Sequence, residues 1–446
     1  MPRIVLALLF AACAALPALA EPGIRSDESN QSLGQLKKEA KADELPKVDA
    51  PVGAAVEQRY WVIIKAASRE QRTAIATAGM AIEEIKGDRV AGTAHIKTIQ
   101  ALQAAGYEVV FKQNLIQWAK DFPAQDKAYH DYARMKSALD AVAKANPRLA
   151  SLFSIGKGWQ GREIWALRFN TTESGTKPSK KPGALFVGAH HAREHLSVEM
   201  PLKIAQHLAA KKDDPAVKKL LETRDIYIVP MLNPDGAEYD ISTGQYKWHR
   251  KNMRANPDGE LGVDLNRNCG FLWGGEGASD QPYSDTYHGP SVFSEPETSA
   301  LKTFVDSRPN ITTFNSFHSY GGLIMYPWGG KDALVEDAVD RKAFQVMAGA
   351  MAKMTGFQAQ QSSDMYVATG DCTDWAYDAH RIFAFTTELG GRGFYPGAAE
   401  IDKQAPGQVQ AALYMIELSD DPRRAGRKEI RSAGTGGTSD TAGAAR

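Results

Sequence analysis

The sequence predicts an α/β fold: a mixed, mostly parallel twisted sheet with helices on both faces, preceded by a small α/β unit. Three observations predict it. Between residues 129 and 418, short apolar runs alternate with helix-like segments, as expected for strands that are buried in a sheet. Residues 56–115 hold a shorter alternation of strands and helices. Hydrophobic residues make up 43% of the chain and charged residues 24%, which is ordinary for a globular protein with a large core.

Residues 1–20 have the pattern of a secretory signal peptide. Arg3 precedes an apolar run, which is followed by small residues up to Ala20. The run is too short to span a bilayer, since a spanning helix takes about 20 apolar residues. A lipoprotein signal at Cys13 is disfavoured, because Phe10 stands where such signals carry a small branched aliphatic residue. We therefore predict a secreted or periplasmic protein that has no membrane span.

The charge balance argues against a nucleic-acid partner. Lys and Arg together number 53, and so do Asp and Glu. Proteins that bind nucleic acids need a net basic surface to neutralise phosphates. We expect no nucleic-acid partner and a monomeric protein.

The chain before residue 129 divides into three further predicted parts. Residues 21–55 are charged and carry few large apolar side chains, so we expect a flexible leader. Residues 56–115 form the small α/β unit, in which no polar residues have metal-binding or nucleophile spacing. Residues 116–128 are expected to be a linker. The elements predicted in the small unit are strands at 60–64 and 107–111, helices at 69–80 and 96–105, and a turn at Gly87 and Asp88.

Residues 129–418 are predicted to form the main domain, and residues 419–446, which are rich in small residues, a disordered tail. Function in such sheets gathers past the carboxyl ends of the strands. The strands of the main domain are predicted at 164–170, 184–188, 226–230, 311–317 and 382–387, and its helices at 132–145, 201–210, 297–307 and 408–418.

Three of these strands lead into residues that can bind a metal or move protons. His191 and Glu194 follow the second predicted strand, His318 follows the fourth and Glu388 the last. Two imidazoles and one carboxylate leave one position open on a tetrahedral metal, as a catalytic zinc site requires. Alone, an H-x-x-E pair is more often a surface accident, and a single histidine is more often a satisfied core residue. Their joint placement at strand ends favours a metal site.

These residues resemble the metal site of the carboxypeptidase A/B family of zinc carboxypeptidases, of the bacterial type with a pro-domain. The resemblance covers residues 129–418 and keeps the family's order, which makes it highly specific. It implies a metallocarboxypeptidase that hydrolyses the C-terminal residue of peptides or proteins. The matching segments are His191-Ala192-Arg193-Glu194, Arg250, Gly262-Val263-Asp264-Leu265-Asn266-Arg267, Tyr287-His288-Gly289, Ser316-Phe317-His318-Ser319-Tyr320, Tyr366, and Asp374-Trp375-Ala376-Tyr377 leading to Glu388.

The resemblance implies one Zn²⁺ per catalytic domain, bound by His191, Glu194 and His318. Asp264 would lie behind a ligand imidazole and fix its tautomer. The alternative for Asp264 is a capping or turn aspartate.

Two further residues would carry the reaction according to the resemblance. Glu388 would be the general base, which takes a proton from the attacking water and passes it to the leaving amine. A surface glutamate fits poorly with the apolar strand before it, because an unpaired buried carboxylate is costly. Arg250 would stabilise the oxyanion of the tetrahedral intermediate. Without the resemblance, the basic residues around Arg250 would favour a solvated surface.

The resemblance also implies how the substrate is held. Asn266, Arg267 and Tyr366 would bind its free C-terminal carboxylate, which a planar guanidinium can grip with two hydrogen bonds. Arg193 would contact the substrate further from the cleaved bond.

The pocket for the terminal side chain would have Thr373 at its floor and Asp371 beside it. A neutral floor and a nearby carboxylate predict a broad preference for apolar and basic terminal residues, unless Asp371 faces the solvent. The other pocket residues implied are Met325, Met365, Ala368 and Thr386.

The small N-terminal unit resembles the pro-domain of this family, although its match is weaker than that of the main domain. A pro-domain implies a zymogen and an activating protease that cuts within residues 116–128, where Lys120 and Lys127 are candidate sites. The alternative is a permanently attached accessory domain.

Four residues depart from the family pattern. His190 and His195 flank the metal motif and could compete for the metal, but we expect both to face outward. Cys269 and Cys372 match no disulfide of the family. They could form a disulfide in an oxidising compartment or remain two buried thiols.

Two other functions compete with the carboxypeptidase. A zinc amidase or endopeptidase acting on cell-wall peptides would keep the metal and cut a different bond. A non-catalytic peptide-binding module would keep the fold but is expected to lose a metal ligand or the general base. The three ligands, His191, Glu194 and His318, and the base Glu388 are all present.

Overall fold

The computed structural model describes residues 58–115, 124–242 and 246–427, and they contain two β-sheets. All of these residues belong to one compact unit of the chain. The predicted signal peptide and leader, residues 116–123 of the predicted linker and residues 428–446 of the predicted tail lie outside the described residues.

The smaller sheet belongs to the N-terminal unit. Its strands are β1 (Arg59–Lys65), β2 (Ala81–Lys86), β3 (Arg89–His95) and β4 (Val109–Asn114), and its helices are α1 (Arg69–Thr77) and α2 (Ile96–Ala104). The strand order is β2-β3-β1-β4, with every neighbouring pair antiparallel. The sequence analysis predicted only the turn of the β2–β3 hairpin, because Glu83, Glu84 and Lys86 interrupt its apolar pattern.

The main domain is built on an eight-stranded sheet in the described part of the chain. Its strands are β5 (Ala150–Lys157), β6 (Glu163–Phe169), β7 (Gly183–Val187), β8 (Asp225–Val229), β9 (Ile311–Ser319), β10 (Leu323–Tyr326), β11 (Gln358–Gln361) and β12 (Phe383–Leu389). Their order is β11-β10-β12-β9-β7-β8-β6-β5. The central strands β12, β9, β7 and β8 are parallel, whereas β6, β5 and β10 pair antiparallel towards the edges. The predicted mixed, mostly parallel sheet is confirmed.

Helices cover this sheet. They are α3 (Tyr132–Ala145), α4 (Leu196–Ala210), α5 (Pro215–Thr223), α6 (Pro234–Ile241), α7 (Pro296–Asp306), α8 (Ala338–Thr355), α9 (Cys372–His380) and α10 (Ala399–Leu418). Helix α4 contacts both α3 and α10, α7 packs against β5, and α9 packs against β12 and β9. Among the described residues, no helix is both long and apolar enough to cross a membrane.

The edge strands β5 and β11 were not predicted from the sequence, because their side chains are only partly buried and form no apolar run. The predicted tail also begins too early. Ser419 is fully buried and its carbonyl accepts a hydrogen bond from Thr312, and Arg423 pairs with the buried Asp340. Residues 419–427 are therefore packed against the domain.

The sheet positions the functional residues at one edge. Because β12, β9 and β7 are parallel neighbours, their carboxyl ends meet at the same side of the sheet. Glu388 on β12 is directly paired with His318 on β9, and Ser316 is paired with Val187 at the end of β7. The loop after β7, which carries His191 and Glu194, therefore starts beside the end of β9, which carries His318.

Candidate active site

Two histidines and one glutamate converge at this edge of the sheet. His191, Glu194 and His318 are fully buried, and each offers a ligand atom within 4.8 Å of the other two. Nδ1 of His191 lies 2.7 Å from Oε1 of Glu194 and 3.1 Å from Nδ1 of His318. Nδ1 of His318 lies 3.1 Å from Oε2 of Glu194. The three predicted metal ligands therefore meet at one point.

The outer nitrogens of both imidazoles have partners of their own. Nε2 of His191 lies 3.0 Å from Oδ1 of Asp264, and Nε2 of His318 lies 2.9 Å from Oγ of Ser316. A carboxylate can only accept, so Asp264 keeps the proton of His191 on the outer nitrogen and leaves a lone pair on Nδ1. This arrangement fits a metal, because ligating histidines normally donate their other ring N–H to a second group.

The charges around the three ligands also fit a divalent cation. Glu194, Asp264 and Glu388 bring three carboxylates together, whereas Arg250 brings one guanidinium. The carboxylates outnumber the guanidinium, which favours a bound cation. Burial and the charges of Glu194 and Glu83 raise the pKa of Glu388 well above its ordinary value, as expected for carboxylates crowded together.

Asp264 joins the metal site to Arg250. Oδ2 of Asp264 accepts hydrogen bonds from Nε and a terminal nitrogen of Arg250, at 3.1 Å and 3.0 Å. Although burial acts in the opposite direction, Arg250 and His191 hold the pKa of Asp264 well below its usual range. Arg250 is itself buried, with its other terminal nitrogen 3.7 Å from Glu194. It lies beside the metal ligands rather than on a solvated basic surface.

Asn266, Arg267 and Tyr366 form a second cluster beside the first. Asn266 and Arg267 lie in a single 3₁₀ turn that Asp264 caps by accepting the N–H of Asn266. Arg267 donates through Nε to the carbonyl of Gly277 and through one terminal nitrogen to the carbonyl of Asn266. Its other terminal nitrogen lies 3.4 Å from the hydroxyl of Tyr366.

The predicted pocket residues are held at the start of α9. Asp371 caps this helix, and its Oδ1 accepts hydrogen bonds from Thr373 and Asp374. Its Oδ2 accepts a hydrogen bond of 2.8 Å from Asn266. Oγ1 of Thr373 lies 3.4 Å from Oγ1 of Thr386. Asp371 is thus fixed against Asn266 and the start of α9 rather than pointing freely into solvent.

The N-terminal unit reaches into the same region through Glu83, a residue that the sequence analysis did not single out. Glu83 pairs with Arg193 and lies 3.8 Å from Arg250. Arg193 is completely buried; it also donates to Thr93 and stacks on Phe394 at 4.2 Å. No local pattern could reveal this contact, because it depends on how the unit packs against the main domain.

His190 and His195 do not face outward, so this prediction is wrong. His190 is completely buried, with Nδ1 3.2 Å from Oγ of Ser316, and it stacks on His318. His195 is also buried, and its Nε2 lies 2.9 Å from Asp240. Neither histidine belongs to the three converging ligands.

Cys269 and Cys372 form a disulfide, with their Cα atoms 5.0 Å apart and a sequence separation of 103. Both cysteines are completely buried. Of the two alternatives, free thiols or a crosslink, the structure has the crosslink.

Comparisons with known proteins agree with this site. The sequence profile of a family described as zinc carboxypeptidase matches residues 135–411. A zinc carboxypeptidase of Saccharothrix mutabilis subsp. capreolus is 32% identical over 409 residues, which cover 84% of this chain and 93% of the relative. Carboxypeptidase A2 of Rattus norvegicus is 34% identical over 276 residues, covering 60% of this chain and 64% of the rat protein.

Solved structures show the same fold. Carboxypeptidase A from Helicoverpa armigera superposes with a TM-score of 0.66 at 21% identity, covering 85% of this chain and 100% of that structure. Thrombin-activatable fibrinolysis inhibitor superposes with a TM-score of 0.64 at 22% identity, covering 82% of this chain and 100% of that structure.

Substitution of a single ligand should remove the metal. We expect His318→Ala and Glu194→Gln to lose the single zinc ion that the wild type retains after dialysis, as measured by plasma mass spectrometry. Asp264→Asn should weaken zinc binding by about 10- to 100-fold, because the outer N–H of His191 loses a charged acceptor. His380→Ala removes an exposed histidine and serves as the control. Full zinc content in His318→Ala would contradict the site.

Proposed function

This chain belongs to the zinc carboxypeptidase family, and we propose that it is an exported exopeptidase, made as a zymogen, that uses Glu388 as its general base. One observation carries the catalytic part of the proposal. Glu388 stands beside His318 on the neighbouring parallel strand, so a carboxylate outside the ligand set faces the metal site.

The catalytic roles follow from charge and position. A bound zinc ion supplies a Lewis acid that polarises the substrate carbonyl and acidifies water. Glu388 takes a proton from the attacking water and delivers it to the nitrogen of the leaving amino acid, so that water is added across the peptide bond. Arg250 is held by Asp264 beside the ligands and pairs with the negative charge that develops on the carbonyl oxygen.

Exopeptidase action is proposed to depend on Arg267. Its guanidinium has five N–H groups, and its contacts with Gly277, Asn266 and Tyr366 use three of them. One N–H remains on each terminal nitrogen, the pattern that binds a carboxylate with two parallel hydrogen bonds. An internal peptide bond offers no such carboxylate. Asn266 and Tyr366 complete the proposed carboxylate site.

We propose a broad preference for apolar and basic terminal side chains. Thr373 gives the pocket a neutral floor. Oδ1 of Asp371 already accepts three hydrogen bonds, whereas Oδ2 accepts one, from Asn266. Oδ2 is therefore the less engaged oxygen, and we propose that it meets the ammonium or guanidinium of a basic substrate.

The proposed zymogen rests on the N-terminal unit, taken as a pro-domain. Glu83 forms an ion pair with Arg193, which is proposed to contact the substrate, and it also lies near Arg250. Arg72 and Thr73 on α1 bond to the backbone of Met365 and Val367, on either side of Tyr366. With Arg193, Arg250 and the backbone around Tyr366 engaged by the N-terminal unit, a peptide could not enter the site until that unit is released.

Release is proposed to follow cleavage within residues 116–128 by another protease. Lys127 is exposed but lies next to the buried Asp126, which accepts a hydrogen bond from Tyr246. Lys120, the other candidate, lies outside the described residues. We also propose that the protein is exported, from the signal-peptide pattern of residues 1–20, and that it is a monomer.

Substitution of Glu388 tests the proposed base. Glu388→Gln keeps the shape of the side chain but cannot accept a proton, so kcat should fall by about 10²- to 10⁴-fold while zinc content is retained. The comparison uses pro-domain-free enzyme and a peptide with a free C-terminus. Glu336→Gln, an exposed substitution of the same kind, should leave kcat unchanged. A kcat for Glu388→Gln close to that of the wild type would refute the assignment.

Charge reversal at Glu83 tests the proposed latency. Glu83→Lys places a cation against Arg193 and Arg250, so the uncleaved chain should hydrolyse a peptide several-fold faster than the uncleaved wild type. Glu108→Lys makes the same change at an exposed site of the N-terminal unit and should have no such effect. Mass spectrometry confirms that each chain is intact. If the intact wild type is as active as the cleaved enzyme, the unit is an accessory domain instead.

A further inference from the structure

The disulfide joins the two segments that are proposed to hold opposite ends of the substrate's terminal residue. Cys269 follows Asn266 and Arg267, the carboxylate-binding residues, by three and two positions. Cys372 lies between Asp371 and Thr373 of the side-chain pocket. This observation rests on the proposed function of those residues, and it concerns a feature that the family resemblance does not supply.

Hydrogen bonds between the two segments surround the crosslink. The N–H of Cys372 donates to Oδ1 of Asn266 at 3.1 Å, and Nδ2 of Asn266 donates to Asp371 at 2.8 Å. The N–H of Cys269 donates to the carbonyl of Gly370 at 2.9 Å. Asn266 therefore binds the pocket segment through its side-chain oxygen and one of its two amide N–H groups, so a displacement of either segment is passed directly to the other.

The backbones also approach closely at Gly370. A Cβ atom at this position would lie 2.1 Å from the carbonyl oxygen of Arg267, and the residue has a φ of +76°. Only glycine accepts both constraints without strain. The carbonyl of Arg267 and the start of α9 are thus in direct contact beside the disulfide.

No β-ladder holds these segments together in the described part of the chain. Residues 264–268 form one 3₁₀ turn and its caps, and Asp371 is the cap of α9. Turns held by a few hydrogen bonds open locally at much lower cost than strands within a sheet. A covalent bond between the two turns prevents such separation.

We propose that the Cys269–Cys372 disulfide is a positioning device, which sets the distance between the carboxylate-binding site and the side-chain pocket. Both sulfur-bearing residues are completely buried, so the crosslink is a constant feature of the folded enzyme. The carboxylate-binding site and the side-chain pocket can hold the same terminal residue only when the distance between them matches the size of one amino acid. The crosslink therefore acts on substrate binding and leaves proton transfer by Glu388 untouched.

The double variant Cys269→Ala/Cys372→Ala tests the proposal in the mature, zinc-loaded enzyme. KM for a peptide with a free C-terminus should rise roughly tenfold while kcat changes less than about threefold, because ground-state and transition-state binding are weakened equally. The matched control is Leu139→Ala, which destabilises the core at α3, away from both segments. An equal rise of KM in the control would reduce the disulfide to a stabilising role and overturn the proposal.

Gly370→Ala provides a second variant if the double variant does not fold. It retains the disulfide and separates the two segments with one methyl group, so KM should again rise with kcat retained. Unchanged KM in whichever variant folds would overturn the proposal. Failure of the proposed function can be told apart from failure of the disulfide proposal. If the wild type cleaves a peptide and its C-terminal amide at equal rates, carboxylate binding is refuted before any variant is compared.

Discussion

The orientation of two imidazoles is the constraint on which the rest of the site depends. His191 and His318 present Nδ1 to the same point because Asp264 and Ser316 occupy their outer nitrogens. The two Nδ1 atoms lie 3.1 Å apart, so one cation could be bound by both of them. Asp264 also binds Arg250, so one buried carboxylate fixes both the metal ligand and the proposed oxyanion partner. A network of this kind is stable only when every member has its partner.

Much of the fold and the metal site could be predicted from the sequence. Parallel apolar strands followed by His191, Glu194 and His318 gave the location of the site, since the ends of parallel strands must meet. Ser316 could have been found by the same reasoning, because residues two apart on a strand point to the same face and Ser316 precedes His318 by two.

The remaining features depend on tertiary packing that no local pattern contains. His195 was expected to face outward, but Asp240 provides a buried partner from α6. Glu83 reaches Arg193 only because the N-terminal unit packs over the site. The pairing of Cys269 with Cys372 could not be decided either, since their sequence separation is 103 and their approach depends on the position of α9.

Recognition of a free C-terminus is the central claim, because it separates an exopeptidase from an amidase or endopeptidase with the same metal site. The most direct measurement compares kcat/KM for one peptide in its free-acid form and as its C-terminal amide. We expect a preference for the acid on the order of 10³-fold or more, since the amide would leave Arg267, the proposed carboxylate-binding residue, without a charged partner. Equal rates for the two peptides would contradict it.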